Sequence, residues 1–225
     1  MQNGSLFPLD DEVNGTECPF CQQNEIARYI LKETPRFRIL ADHAPLLEGH
    51  LLIIPKEHYA CYGVVPAELD AELAVQKREV EEFFSHFYAP AVFWEHGVFR
   101  QTVFHAHLRC FPFGRAEYDL SRGLHSAVVS SQEDVRRWYA SQGHYFYMEN
   151  AQTALLFPPE LERYLQIIKE VLWRGVAYRS SRREWRSAEQ RHAEGVPLIE
   201  TLNARWQFFQ EQGASEQYAD KPSMR

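Results

Sequence analysis

Gln101-Thr102-Val103-Phe104-His105-Ala106-His107-Leu108-Arg109-Cys110-Phe111-Pro112 is the stretch on which the reading of this 225-residue chain turns. Its apolar and aromatic residues predict a strand over residues 103–111, ended by Pro112, which has no amide hydrogen to give a ladder. Side chains alternate across a strand, so His105, His107 and Arg109 line one face while Phe104, Ala106 and Leu108 line the other. Two imidazoles and a guanidinium on one side of an apolar strand are costly to bury unpaired, at about 1–3 kcal/mol each. A phosphate or a metal ion would offset that cost.

Working outward, His50-Leu51-Leu52-Ile53-Ile54 is a short apolar run stopped by Pro55, which predicts a well-buried strand. Arg36-Phe37-Arg38-Ile39-Leu40 alternates and predicts a half-buried one. Pro66 opens a helix to about His86, with Leu69, Leu73, Val80, Phe83, Phe84 and Phe87 at helical spacing. Residues 91–95 form another strand before a loop at His96 to Gln101. Farther on, residues 145–148 and 153–157 suit a hairpin. Leu161, Leu165, Ile168 and Leu172 mark one helical face, and a last helix after Pro197 would bury Leu198, Leu202, Trp206 and Phe209. The order of elements is that of an α+β fold, an antiparallel sheet with packed helices. Upstream of everything, Cys18-Pro-Phe-Cys21 offers two thiols from one turn, a metal or a redox element. Cys61 and Cys110 sit in apolar contexts and are expected as buried thiols.

These pieces together resemble the histidine-triad superfamily. His105-Ala106-His107-Leu108-Arg109 is similar to the family's His-x-His-x-His strand, and Gln101-Thr102-Val103 to the lead-in before it. Asp42, followed by Gly49-His50, the apolar strand and Pro55-Lys56-Glu57-His58, is similar to the family's second signature, including the spacing between Asp42 and His50. The resemblance spans about Cys18 to Pro112, roughly half of the chain. It implies a histidine-triad-like catalytic domain with an N-terminal zinc segment over residues 1–115. Residues 116–225 would be a C-terminal α/β elaboration packed on the same domain.

The resemblance also implies roles. His107 would be the nucleophile that attacks a nucleotide's α-phosphate, splitting one hard displacement into two through a nucleotidyl-histidine. His50 would belong to the polar shell around it, Gln101 and Thr102 would contact the phosphate, and Asp42 would take hydrogen bonds from the ribose, although an aspartate there also caps loops. Zinc-bearing relatives use the Pro-Lys-x-His histidine and the first triad histidine, so His58 and His105 would complete a structural zinc site with Cys18 and Cys21. With four protein ligands the metal would have no open position.

Arg109 departs from the pattern, standing where hydrolases of the superfamily have histidine and the uridylyltransferase and phosphorylase branches have glutamine. Guanidinium is permanently protonated: it grips developing negative charge but cannot hand a proton to a leaving group. Phosphate-leaving substrates such as dinucleoside polyphosphates therefore suit it better than amine-leaving ones. Three readings follow, namely a nucleotide hydrolase, a nucleotidyltransferase passing the group to a phosphorylated acceptor, and a nucleotide sensor without turnover. In Trp94-Glu95-His96-Gly97, His96 could reach the phosphates, an exposed loop histidine being the plainer expectation. Arg174, Arg179, Arg182, Arg183, Arg186 and Arg191, interleaved with Glu184 and Glu189, could hold a polyphosphate or form a solvated helix face.

Composition bounds the rest. A hydrophobic content of 45% fills a core, and a net charge of −7 provides no broad basic field for extended nucleic acid. Four cysteines are too few for a disulfide scaffold, and no apolar run reaches a membrane span. A cytoplasmic protein acting on a small nucleotide is expected, and the resemblance adds a homodimer.

Overall fold

A computed structural model of the chain describes residues 18–99, 101–113, 126–160 and 187–219, with side chains through residue 213. Among them, eight strands form one antiparallel sheet. They are β1 (Ile30–Glu33), β2 (Phe37–Ala41), β3 (Leu51–Pro55), β4 (Val92–Glu95), β5 (Leu108–Phe111), β6 (Ala127–Val128), β7 (Phe146–Glu149) and β8 (Ala154–Phe157), in the spatial order β1-β2-β3-β5-β4-β7-β8-β6. The helices are a single turn α1 (Gln23–Ile26), α2 (Asp70–Phe87), α3 (Gln132–Gln142) and α4 (Ala188–Ala219). No described helix is long and apolar enough to cross a membrane.

Period-two alternation sorts the buried side chains onto two faces. One face gathers Phe37, Ile39, Leu51, Ile53, Phe93, Leu108, Cys110, Tyr147 and Leu156, packed with Leu73, Val80, Phe83 and Phe84 of α2 and Leu202 and Trp206 of α4. The opposite face holds two separate apolar patches. Leu40, Leu52 and Ile54 meet Ile26 and Phe20 at the β2/β3 end, and Val92, Trp94, Phe111, Phe146, Met148 and Phe157 cluster on the β4/β7/β8 side. β5 runs between these patches, with Leu51 opposite Cys110 and Leu52 opposite Arg109 in its pairing with β3.

Several sequence expectations need correction. The predicted strand over 103–111 shortens to Leu108–Phe111, because the chain leaves the ladder beyond the Ile53–Leu108 pair. There the amide of His105 turns back to the Val103 carbonyl and that of Ala106 donates to Tyr59 O. The side-chain alternation survives from His105 onward, since Ala106 and Leu108 pack into the α2-side core and His105 and His107 do not, whereas Phe104, expected beside Ala106, is exposed. β2 is buried on both faces rather than half-buried, because Leu40 lies under the N-terminal segment and Arg38 is covered by an ion pair with Glu33 at 2.7 Å. The last helix begins at Ala188, well before Pro197, entered through Ser187, whose hydroxyl accepts from the Gln190 amide while Gln190 returns the bond. Within it Leu202 and Trp206 are buried, and Leu198 and Phe209 only partly so.

The predicted hairpin is present as β7 and β8, and Cys61 and Cys110 are both fully buried. The helical face drawn on Leu161, Leu165, Ile168 and Leu172 lies outside the described residues. β6 and α3 have no counterpart in the sequence reading, although Ser131 and Asp134 form the capping box that starts α3.

Candidate functional site

The turn at Cys18 is closed by the Cys21 and Gln22 amides, which both donate to the Cys18 carbonyl and so point the two sulfurs the same way. Cys18 Sγ lies 3.4 Å from His105 Nδ1, Cys21 Sγ 3.3 Å from His58 Nδ1 and 3.5 Å from His105 Nδ1. The ligand atoms of all four residues fall within 4.8 Å of one another. A tetrahedral ion with bonds of about 2.3 Å to sulfur and about 2.0–2.1 Å to nitrogen has sulfur–nitrogen edges of about 3.5 Å, so the donor set fits such an ion. His105 Nε2 is 2.9 Å from Pro55 O, which assigns its proton to Nε2 and leaves Nδ1 bare toward the sulfurs. Burial and the neighbouring Cys18 push the Cys21 thiol up to about 11, so the pair favours thiolates only beside a cation.

Two residues along, His107 has the opposite arrangement. Its Nδ1 lies 2.7 Å from the His105 carbonyl, so Nδ1 carries the proton and Nε2 keeps its lone pair. Burial, with the charge of Arg109 adding to it, pushes its pKa down to about 3 against the pull of that carbonyl, and the ring is neutral. The Phe20 ring stands edge-on to both histidines, with centroids 5.7 Å away in each case, and ties the cysteine turn to His107.

Asp42 and His50 sit at the two ends of the β2–β3 loop. The Asp42 amide donates to His50 O, Asp42 Oδ1 accepts from the Ala44 amide at 2.8 Å, and His50 Nδ1 accepts from the Leu46 amide at 3.4 Å. His50 Nε2 is 3.6 Å from Asp42 Oδ2, and the ring stacks on Phe111 with centroids 4.3 Å apart. Burial drives His50 down to about 4 against the pull of Asp42, with Arg109 and Arg191 adding to the fall. For Asp42, burial works upward and is outweighed by the neighbouring His50 ring, the Arg109 guanidinium and the Ala44 amide, which together hold the carboxyl low.

Arg109 and Asp42 thus act electrostatically on both the His50 and the His107 ring. Gln101 is 7% exposed, and neither atom of its amide finds a hydrogen-bond partner among the described residues. Thr102 is exposed. His96 is buried against Phe146, with ring centroids 6.0 Å apart, which corrects the expectation of an exposed loop histidine. Gly97 forces this position, because it takes φ +51° and its Cα is so close to the Tyr145 ring that an added Cβ would sit 2.5 Å away. Of the arginine cluster only Arg191 lies among the described residues.

Two features escaped the sequence reading. Glu95, 1% exposed on the α2 face, accepts from the Tyr62 amide at 2.8 Å and from Tyr145 OH, which in turn accepts from the Gly63 amide. This pins the 3₁₀ turn Tyr62–Val64 that follows His58. The other is the contact of α4 with the β2–β3 loop. Only the glutamate's place at the end of an apolar run could have flagged the first; nothing local signals the second.

Residues 11–122 match the family described as proteins similar to the CwfJ C-terminal region. The chain is similar to the adenosine 5'-monophosphoramidase hnt1 of Schizosaccharomyces pombe, 29% identical over 118 residues that cover 52% of this chain and 89% of that protein. Among solved structures it is similar to a hypothetical protein from Leishmania major, 26% identical, covering 56% of this chain and 96% of that one with a TM-score of 0.42. A zinc-bound histidine-triad protein from Mycobacterium smegmatis is 25% identical over 55% of this chain and 91% of that one, with a TM-score of 0.39. With two imidazoles of opposite tautomer leading into β5, the Asp42/His50 loop facing them, the family match over residues 11–122 and the similarity to hnt1, the chain belongs to the histidine-triad superfamily.

Proposed function

We propose that this protein cleaves a nucleoside phosphate anhydride at the α-phosphorus, through a nucleotidyl intermediate on His107. The observation that carries the reading is the neutral His107 ring, whose Nδ1–H is given to the His105 carbonyl and whose Nε2 is left to react. In this mechanism Nε2 forms a bond to phosphorus while the bond to the leaving phosphate oxygen breaks. The leaving group departs as an anion and needs no proton. Water then bonds to phosphorus, the phosphorus–Nε2 bond breaks, and the water's proton leaves to solvent or to the released phosphate.

Arg109, whose charge reaches His107, Asp42 and His50, stabilises the charge that develops on the phosphoryl oxygens. The orphaned Gln101 amide donates to a non-bridging oxygen, Thr102 supplies a second donor, and Asp42 accepts from ribose hydroxyls. His50, neutral and stacked on Phe111, faces the Asp42 carboxylate across 3.6 Å.

Cys18, Cys21, His58 and His105 hold zinc in this reading. The metal would act as a structural clamp, joining the N-terminal turn to the segment that presents His107. The hnt1 relative is named for a phosphoramidate substrate. Arg109 favours an anhydride here, because it cannot protonate an amine as it leaves. The same residue favours a second reading, transfer of the nucleotidyl group to a phosphorylated acceptor.

Intact-mass spectrometry after mixing with a dinucleoside polyphosphate tests both. A nucleotidyl adduct is expected on the wild-type protein and not on His107→Asn, which keeps a donor for the His105 carbonyl but lacks Nε2. Product formed only when inorganic phosphate or a sugar phosphate is added would replace hydrolysis by transfer. No adduct with any donor would overturn the catalytic reading.

A further inference from the structure

The backbone of the Asp42–His50 loop is satisfied from two sides. Inward, its amides bind the side chains of Asp42 and His50 themselves. Outward, its carbonyls meet α4. Arg191 Nε donates to Ala44 O at 3.2 Å, and His192 Nδ1 lies 2.8 Å from His43 O, donating to it. The His43 and His192 rings lie against each other with centroids 5.8 Å apart. One turn farther along, the buried Gly195 comes so close that an added Cβ would stand 2.6 Å from Pro45 Cδ. At the far end of the loop Arg205 pairs with Glu48 while stacking over Tyr88 at 4.8 Å.

The helix making these contacts is itself anchored. Leu202 and Trp206 are 2% exposed in the α2-side core, and Trp206 stands 4.8 Å from Phe83 of α2. His43 is exposed and Ala44 buried, and both of their carbonyls take bonds from α4, which ties the loop to the helix. Close approach also requires glycine at 195, since any side chain there would push helix and loop apart.

From these contacts we infer that α4 is a brace that sets the nucleotide-binding geometry of the Asp42–His50 loop, with Arg191, His192 and Gly195 as its positioning residues. This rests on the nucleotide reading of the site proposed above. None of the three touches the reacting atoms. Their effect reaches substrate through the carboxylate of Asp42 and the ring of His50, so the brace governs how tightly nucleotide is held more than how fast phosphorus is attacked. The charge of Arg191 is felt at His50, in keeping with that path.

The test uses the full-length protein and four variants: Arg191→Ala, the double variant Arg191→Ala/His192→Ala, His192→Asn and Gly195→Ala. Gly195→Ala is informative because alanine favours a helix more than glycine, so any loosening comes from collision with Pro45 and not from a weaker helix. Hydrogen exchange of the segment 42–50 is measured together with the affinity for AMP, the rate of adduct formation at saturating nucleotide, and zinc content. In the double variant and in Gly195→Ala, exchange at Ala44 and Leu46 should accelerate at least about tenfold, as expected when one to two hydrogen bonds are lost. AMP affinity should fall by a similar factor, with the saturated rate within about threefold of wild type and zinc unchanged. His192→Asn keeps a donor at the Nδ1 position and should return both quantities to within about threefold, with Arg191→Ala in between.

Unchanged exchange in both the double variant and Gly195→Ala overturns the brace. Faster exchange with unchanged AMP affinity overturns its role in binding. If wild-type protein does not bind AMP at all, the nucleotide reading falls instead, and exchange alone decides whether α4 holds the loop.

Discussion

On the α2-covered face of the sheet the buried carboxylate of Glu95 has both oxygens engaged, by the Tyr62 amide and Tyr145 OH. The Gln101 amide, 7% exposed, engages nothing among the described residues, and on the opposite face His50 Nε2 stands 3.6 Å from the nearest carboxylate oxygen. Burial alone does not separate these groups; saturation does. A polar group satisfied from within belongs to the fold. One left open costs about 1–3 kcal/mol, and such groups occur on the α2 side too, at Gln76 Oε1 and Trp206 Nε1, so an open group points to a ligand only where it adjoins the site. The four-residue cluster at Cys18, Cys21, His58 and His105 is the extreme case, with two thiols and two imidazole nitrogens converging on one point.

The contrast is broken most severely at that point. Removing the metal with a strong chelator, or replacing Cys21 by serine, should destabilise the protein by about 3 kcal/mol or more. That corresponds to a fall in Tm of about 6–12 °C for a chain of this size. Metal analysis of protein purified without chelator should find about one equivalent of zinc; below about half an equivalent, the four-ligand assignment fails.

A smaller effect, of opposite sign, is expected at the open amide. Gln101→Leu removes a buried unsatisfied group and should raise Tm by about 2–4 °C, a gain of about 1 kcal/mol, while weakening AMP binding about tenfold. A variant that lost stability instead would mean that Gln101 is a structural residue.

The most delicate contrast is in pH. Burial lowers His50 from 6.5 to about 4, so the unfolded chain binds the proton more tightly there. The stability this group contributes is complete above about 6.5 and is lost as pH falls toward 4. Glu95 is raised from 4.5 to about 7, so its contribution is complete below about 4.5 and is lost as pH rises through 7. Each is worth on the order of 1–3 kcal/mol. Relative to wild type, Glu95→Gln should gain Tm at pH 8 but not at pH 4.5, and His50→Gln should gain at pH 4.5 but not at pH 8. Parallel profiles for the two variants would remove the distinction between the faces.

Much of the site was legible before any fold was known, because its residues repeat a local geometry. The period of two along residues 105–109 put His105, His107 and Arg109 on one side, and Ala106 and Leu108 pack on the other although the regular strand begins only at Leu108. The Cys-x-x-Cys turn and the Pro-Lys-x-His segment each carry their own chemistry in a few residues. The same local logic located α2, β3 and the β7/β8 hairpin, whose apolar spacing is intrinsic to the segment.

Other features were not legible, and for one reason. Which nitrogen of His105 carries the proton depends on the Pro55 carbonyl, 50 residues away along the chain. The burial of His96 depends on Phe146, and the depth of β2 on Ile26 and Phe20. The helix that braces the Asp42–His50 loop lies about 150 residues away along the chain.

What the amino-acid sequence determined by itself was the inventory of groups and their local periodicity: two imidazoles and a guanidinium on one strand face, two thiols on one turn, and apolar stripes that had to be buried. What only the tertiary structure decided was which of those groups are satisfied and which are left open. That balance depends on partners distant in sequence, and desolvation acts on a group only once the chain has closed around it.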